Sequence, residues 1–267
     1  MNFENYKPSG ILKSHIENYL VVKTDREIST AIIPEPSPVL SFRSKGKHSY
    51  WVNDIKENLP SCAITGLRNA VKPIFLSENT ETILVKFKPC EAALFFKEPQ
   101  HLFSNQSVSL YDFLPKQAVS NIEEQLAKDN TNLHKISAIE NFLIPLFRNK
   151  HSYSLIKTAV QKIVQHSGSM KIEELASILN MSLDAFEKRF REIVGSSPKQ
   201  FSSIVRLATL INKKYNNQSL SEIAYEYGYF DQSHFIKDFR QFAGTTPKNF
   251  QAENHAIADF LISSQPV

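Results

Sequence analysis

The sequence predicts an α+β chain of two domains. A β-rich amino-terminal barrel or sandwich with trailing helices is expected over residues 1–150. An all-α part with two helix-turn-helix units is expected over 151–251, and 252–267 are left as a tail. Three observations carry this reading. Before about Leu114 the apolar segments are short, rich in β-formers and separated by Pro and Gly. Beyond it the apolar residues recur at helical spacing. Near the carboxyl end, one stretch (172–201) is repeated at 220–250. A chain of 267 residues is long enough for two cores.

The expected strands are 19–23, 31–33, 39–42, 49–52, 62–65, 74–76 and 82–87. They are punctuated by Pro34, Pro36, Pro38, Gly46, Pro60, Gly66, Pro73 and Pro89. Short strands at this spacing suit a small antiparallel barrel or sandwich. Phe42, Tyr50 and Trp51 are candidates for lining an effector pocket in it, with core packing the favoured role of each. Helical patterns follow at 120–128 and 134–147. Ile136, Ile139, Leu143 and Phe147 fall on one side of the second. Part of that surface is expected to pack on its own domain, the favoured role, and the rest, Leu143 with it, to meet a partner subunit or the other domain. Residues 148–154 (RNKHSYS) read as the linker, and 155–165 as the first helix of the second domain.

The repeat aligns Ala176 with Ala224, Phe190 with Phe239, Gly195 with Gly244, Pro198 with Pro247 and Phe201 with Phe250. A unit used twice is one supersecondary module. Each copy reads as helix, tight turn, helix. In the first, Leu175, Ala176 and Leu179 have helical spacing, Asn180 suits the helix end and Ser182 the next N-cap. Phe186, Phe190 and Ile193 then share a face. In the second, Ile223 and Ala224 belong to the first helix, Gly228 makes the turn, Asp231 caps, and Phe235, Phe239 and Phe242 form the matching stripe.

At about 100° per residue, Asp184, Glu187, Lys188 and Arg191 point away from the first Phe stripe. Gln232, Ser233, His234, Ile236, Lys237 and Arg240 do the same in the second copy. A solvated polar face would look alike, but amides, hydroxyls and cations early in a second helix suit a recognition helix in a major groove. The acidic pair Asp184 and Glu187 would be repelled by phosphates, while either could accept from a cytosine amino group. Ser182, with Lys199 beside Pro198 and Lys248 beside Pro247, is a candidate phosphate contact.

The run GYFDQSHF at 228–235, with Ile223–Ala224, Phe239 and GTTPKNF at 244–250, resembles the DNA-binding domain of the AraC/XylS family of bacterial regulators. The first copy contributes Leu175–Ala176, Met181–Ser182, Phe186, Arg189, Phe190 and GSSP at 195–198. The resemblance spans about 153–250. It implies two helix-turn-helix units joined by a rigid helix, here 199–214 with Arg206–Leu207, reading one side of a duplex. It also implies a transcription factor, usually an activator acting through RNA polymerase, that binds double-stranded DNA in a sequence-specific way. The amino-terminal domain of such proteins usually senses a small-molecule effector or forms a homodimer. Here that domain resembles a type marked by Tyr6, Pro8, Leu12 and Tyr19, then VKFKPCEAALFF from Val85 and SVSLYDFL from Ser107. No effector residues follow from it.

Charge agrees with this division. Residues 153–250 hold 13 Lys and Arg against 9 Asp and Glu, and the rest of the chain holds 18 of each, so the whole net +4 lies in the repeat-bearing part. A positive field attracts phosphate. Cys62 and Cys90 are isolated, the eight His are scattered, and no phosphate loop, GxSxG or HExxH occurs. No enzyme activity, metal or cofactor is expected. The weighed alternatives are an alkyl-transfer enzyme using Cys62 or Cys90, which lack supporting ligands, and a protein-interaction module. With no apolar stretch near 18 residues and no secretory pattern, a soluble cytoplasmic protein with no membrane partner is expected.

Overall fold

The computed structural model describes residues 1–52, 55–128, 130–148, 153–212 and 219–252. Among these residues ten strands come first: β1 (Asn2–Tyr6), β2 (Ile16–Thr24), β3 (Ile28–Ile32), β4 (Val39–Lys45), β5 (His48–Val52), β6 (Ile55–Asn58), β7 (Cys62–Thr65), β8 (Lys72–Leu76), β9 (Thr80–Phe87) and β10 (Ser107–Ser109). They form two sheets, ordered β1-β2-β9-β4-β7-β10 and β3-β8-β5-β6. All pairings are antiparallel. Each predicted strand lies on one of these. The sequence reading did not include β1, β6 or β10.

Alternation in the larger sheet gives it two covered faces. Leu20 and Val22 turn toward Tyr50, Ile74 and Leu76 of the smaller sheet. Their neighbours Tyr19 and Val21, with Ile83, Val85 and Phe87, turn toward the helices. These are α1 (Lys116–Ala127) and α2 (Asn132–Leu143). Phe42 follows the second group and meets Phe142 of α2 edge-on, with ring centroids 5.9 Å apart. The architecture is a sandwich backed by helices on one face.

Two expectations are corrected by this packing. Trp51 is 53% exposed, against Phe75 on the outside of the smaller sheet, so it lines neither pocket nor core, whereas Phe42 is buried on the helical side in the favoured core role. Only Tyr50 of the three faces the interior between the sheets. Leu143 is fully buried beside Ile136 and Ile139, so its face packs within the chain and offers no surface to a partner. Leu133 is the exposed leucine of that helix.

Among the described residues seven helices follow: α3 (Tyr153–Gln165), α4 (Ile172–Ile178), α5 (Leu183–Val194), α6 (Pro198–Asn212), α7 (Leu220–Glu226), α8 (Gln232–Ala243) and α9 (Pro247–Ala252). Residues 149–152 of the expected linker, 213–214 of the expected connecting helix and 253–267 of the tail lie outside the described residues. One continuous apolar core runs from Leu12 through both parts to Ala243. At the seam, the Cys90 sulfur lies 3.3 Å from the Tyr153 hydroxyl. Buried Glu91 binds Lys157 of α3 at 2.7 Å and His15 at 2.8 Å. Burial raises the Cys62 thiol and pushes Cys90 up to about 12. Both are therefore protonated near neutrality, whereas nucleophilic chemistry needs the thiolate.

The β-rich part also touches the carboxyl ends of α5 and α8. Each helix stops at a glycine in the left-handed region, Gly195 (φ +98) and Gly244 (φ +79), whose N–H closes on the Arg191 and Arg240 carbonyls. A Cβ at Gly195 would meet the Gln100 carbonyl oxygen at 3.1 Å, and one at Gly244 would meet Val71 Cγ1 at 3.0 Å. Glycine thus serves here both for backbone conformation and for close approach.

Candidate nucleic-acid interface

α4–α5 and α7–α8 are two helix-turn-helix units built from equivalent residues. Leu175 and Ala176 in α4, and Ile223 and Ala224 in α7, are buried under the Phe stripes of the following helices. Phe186, Phe190, Phe235, Phe239 and Phe242 are buried as their spacing requires, while Ile193 is half-buried. Asn180 takes the left-handed conformation (φ +52) in the first turn. The caps form where expected. Ser182 Oγ accepts from the Ala185 N–H at 3.4 Å, and Asp231 Oδ1 accepts from the His234 N–H at 2.7 Å. α7 starts with a full capping box between Ser219 and Glu222.

Most of the residues expected to read DNA lie exposed on their helices. Asp184, Lys188 and Arg191 are exposed on α5, and Gln232, Ser233, His234, Lys237 and Arg240 on α8. Lys188 corresponds to Lys237, and Arg191 to Arg240, so both helices present a cation at the same two steps. Glu187 is half-buried and lies 3.7 Å from Arg191, which offsets part of the acidic face. Ile236 departs from the polar face: it is half-buried and packs on the core. Gln232 is held by α7, because the Ser221 hydroxyl donates to its Oε1 at 3.0 Å. One lone pair on that oxygen and both amide hydrogens are left for other bonds.

Lys199 and Lys248 are exposed at the second residues of α6 and α9. The sequence reading missed their caps: Ser197 Oγ accepts from the Gln200 N–H at 3.2 Å, and Thr246 Oγ1 from the Asn249 N–H at 3.3 Å. The signal was present in GSSP and GTTP, a hydroxyl residue immediately before a helix-starting Pro. Also missed were two aromatics around the second unit. Tyr225 is 87% exposed and Phe230 94% exposed. Burial is the ordinary fate of such rings, and the reading had no means of marking these as exceptions.

The units are linked by α6, which packs on α3, α5 and α8. Its Arg206 donates to the Gly168 carbonyl at 2.8 Å and lies 5.3 Å from the Tyr229 ring centre, tying the start of one unit to the turn of the other. Two such units on one connecting helix define a double helix-turn-helix domain. Residues 175–253 match the helix-turn-helix domain family, and residues 4–109 match a domain of unknown function (DUF6597).

Two relatives carry the comparison further. An uncharacterized HTH-type transcriptional regulator of Haemophilus influenzae is 33% identical over 98 residues, which are 36% of this chain and 33% of that protein. The Msm operon regulatory protein of Streptococcus mutans is 32% identical over 132 residues, 45% of this chain and 46% of that protein. The chain therefore spans less than half the length of either. The structure of ToxT from Vibrio cholerae is similar at 10% identity and a TM-score of 0.46, covering 87% of this chain and 96% of that one. Residues 175–253 thus carry a helix-turn-helix domain of the kind found in AraC-type transcription regulators.

Among the described residues no helix is long and apolar enough to cross a membrane, and no three His, Cys, Asp or Glu cluster as a metal site.

Proposed function

We propose that the chain reads double-stranded DNA sequence-specifically through α5 and α8 and thereby controls transcription, as an activator that contacts RNA polymerase. The observation that carries this is the pair of equivalent, exposed polar faces, each mounted on a Phe stripe and held to the other by α6. A helix presenting amide, hydroxyl and cationic groups suits base edges in a major groove.

In this reading Gln232, Ser233, His234 and Lys237 of α8 meet bases, with Ile236 as packing behind them. On α5, Lys188 and Arg191 bind phosphate or guanine, and Asp184 accepts from cytosine. Ser182, Lys199 and Lys248 sit against phosphates, where helix starts favour anions. Tyr225 and Phe230 extend the contact with apolar surface suited to sugars or thymine methyl groups. The amino-terminal domain would sense a small effector, and pairing of two chains would place two such readers on a repeated site.

Selection of bound duplexes from a random library by the full chain, followed by gel shift, tests the proposal. A common motif covering two major-groove segments is expected, with affinity falling steeply as salt rises. Recovery of no motif, with equal affinity for every duplex, would sink it.

A further inference from the structure

The two sheets of the amino-terminal part enclose a cavity of about 140 Å³. Its apolar wall includes Leu20, Val22, Ile74, Leu76 and Leu84. Its polar groups are mostly matched with one another. His48 Nε2 is 3.1 Å from Thr82 Oγ1, and burial depresses His48 to about 4, so the ring is neutral. Glu35 pairs with Lys86 at 3.0 Å. Arg68 is the exception. It is 5% exposed; one terminal nitrogen donates to the Tyr50 hydroxyl, while Nε and Nη1 have no partner among the described residues.

A second cation aggravates the imbalance. The Arg68 guanidinium carbon lies 5.1 Å from the Tyr50 ring centre and Lys72 Nζ lies 4.2 Å from the same ring. Burial first, and then the neighbouring Arg68 charge, lowers Lys72 from its ordinary value. Among the described residues neither cation has a carboxylate within ion-pair distance, and Glu57 is the acid that acts on Lys72 from farther away. A buried cation with unfilled N–H groups is costly, and an anion beside it repairs both the charge and the hydrogen bonds. A dry apolar cavity of about this size accepts a benzene-sized body.

We propose that this cavity binds a small apolar monocarboxylate, its carboxylate against Arg68 and its hydrocarbon part among Leu20, Val22 and Leu84. The position of Arg68 gives occupancy a route to the helices. The segment after β7 that carries it is pinned to the next loop, where the Asn105 N–H donates to the Leu67 carbonyl at 2.9 Å and the Asn69 N–H to Asn105 Oδ1 at 3.0 Å. It ends at Val71, against Gly244 of the second unit, while Gln100 in the neighbouring turn meets Gly195 of the first. A ligand that favours one arrangement of this segment biases how both reading helices are seated. That regulatory consequence rests on the DNA-reading proposal; the binding does not.

The test uses the full chain without DNA, titrated with propionate through octanoate and with benzoate, each beside its primary amide, by calorimetry and thermal melting. Saturable binding below about 10 mM is expected, with an optimum chain length and a preference of about tenfold for acid over amide. Arg68→Met should remove that preference and melt no lower than the parent, since it removes an unpaired buried charge. Arg68→Lys should bind in between. The proposal is overturned by saturable binding of no acid, by equal affinity for acid and amide, or by parental acid binding in Arg68→Met. The acid–amide comparison on the parent chain decides the matter even where a variant does not fold. A gel shift with and without the preferred acid then separates the two proposals. Acid binding without DNA binding removes the DNA reading alone, and DNA binding without acid binding removes the cavity site alone.

Discussion

The α4–α5 and α7–α8 units share their buried positions and differ in their exposed ones. Phe186 and Phe235, Phe190 and Phe239, and Gly195 and Gly244 stand in the same places and do the same work. On the open face, Asp184 stands where the second unit has Ser233, and Glu187 where it has Ile236. The second unit also exposes Tyr225 and Phe230. The difference teaches that the repeat preserves a scaffold while the chemistry of its exposed faces diverges; in the proposed function, recognition is then divided unequally over the two units. The second unit carries neutral donors and acceptors together with apolar surface. The first carries cations offset by acids.

The largest effect tests the shared scaffold. Phe186→Ala and Phe235→Ala each remove a fully buried ring and should each cost about 3–5 kcal/mol in denaturant unfolding. Equal losses would confirm that the stripes are equivalent. A loss below about 1 kcal/mol at one of them would show that its unit is not packed as its partner is.

Next comes the division of labour. Gln232→Ala should weaken binding to the selected site by roughly 1–3 kcal/mol and relax the preference at one base pair. Ser221 holds Gln232 in place, so Ser221→Ala should produce a smaller loss at the same base pair. Lys237→Ala should instead weaken all duplexes alike and reduce the salt slope by about one if Lys237 meets phosphate. Binding profiles across single-base variants of the site distinguish these patterns. A Gln232→Ala profile that matches the parent at every base would remove Gln232 from the reading set.

How much of this was legible in the sequence depends on the range of the interactions. Helical faces repeat over four residues, so the Phe stripes and most of the exposed polar positions followed from spacing alone, Ile236 excepted, and the duplication checked one copy against the other. Strands declare themselves less well. β6 (Ile55–Asn58) is exposed throughout and has no buried face to impose alternation. β10 is three residues long, and β1 is an edge strand, half-buried at most. Which strands pair is set by contacts far apart in the chain, as with β2 and β9. Tyr50 and Trp51 illustrate the limit: neighbours on a strand face opposite ways, and only register decides which of them turns inward. Arg68 was out of reach because its meaning lies in nitrogens left unpartnered among the described residues.

A smaller effect concerns the caps. Asp231 accepts at 2.7 Å and Ser182 at 3.4 Å, so Asp231→Ala should cost about 1 kcal/mol and Ser182→Ala toward 0.5 kcal/mol, within the range for lost N-caps. Thermal melts of the two variants provide the comparison. A larger loss at Ser182 would reverse the ranking that the distances give.

The smallest effect is the most discriminating, because it concerns the feature least suited to a DNA reader. Asp184 is exposed in the first turn of α5, where a negative charge favours the helix dipole yet repels phosphate. The two roles predict opposite outcomes for Asp184→Asn. If the carboxylate does no more than complement the helix, its removal lowers repulsion, and affinity for every duplex should rise about two- to threefold at low salt. If it accepts from a cytosine amino group, non-specific affinity should still rise while affinity for the selected site falls, because an amide can present its donor as well as its acceptor and no longer insists on that base. Titrating the variant against the selected site and a scrambled duplex at two salt concentrations separates the cases. Unequal division between the units predicts the first outcome, a uniform gain that fades with salt. A site-specific loss would make α5 a reader of equal standing with α8.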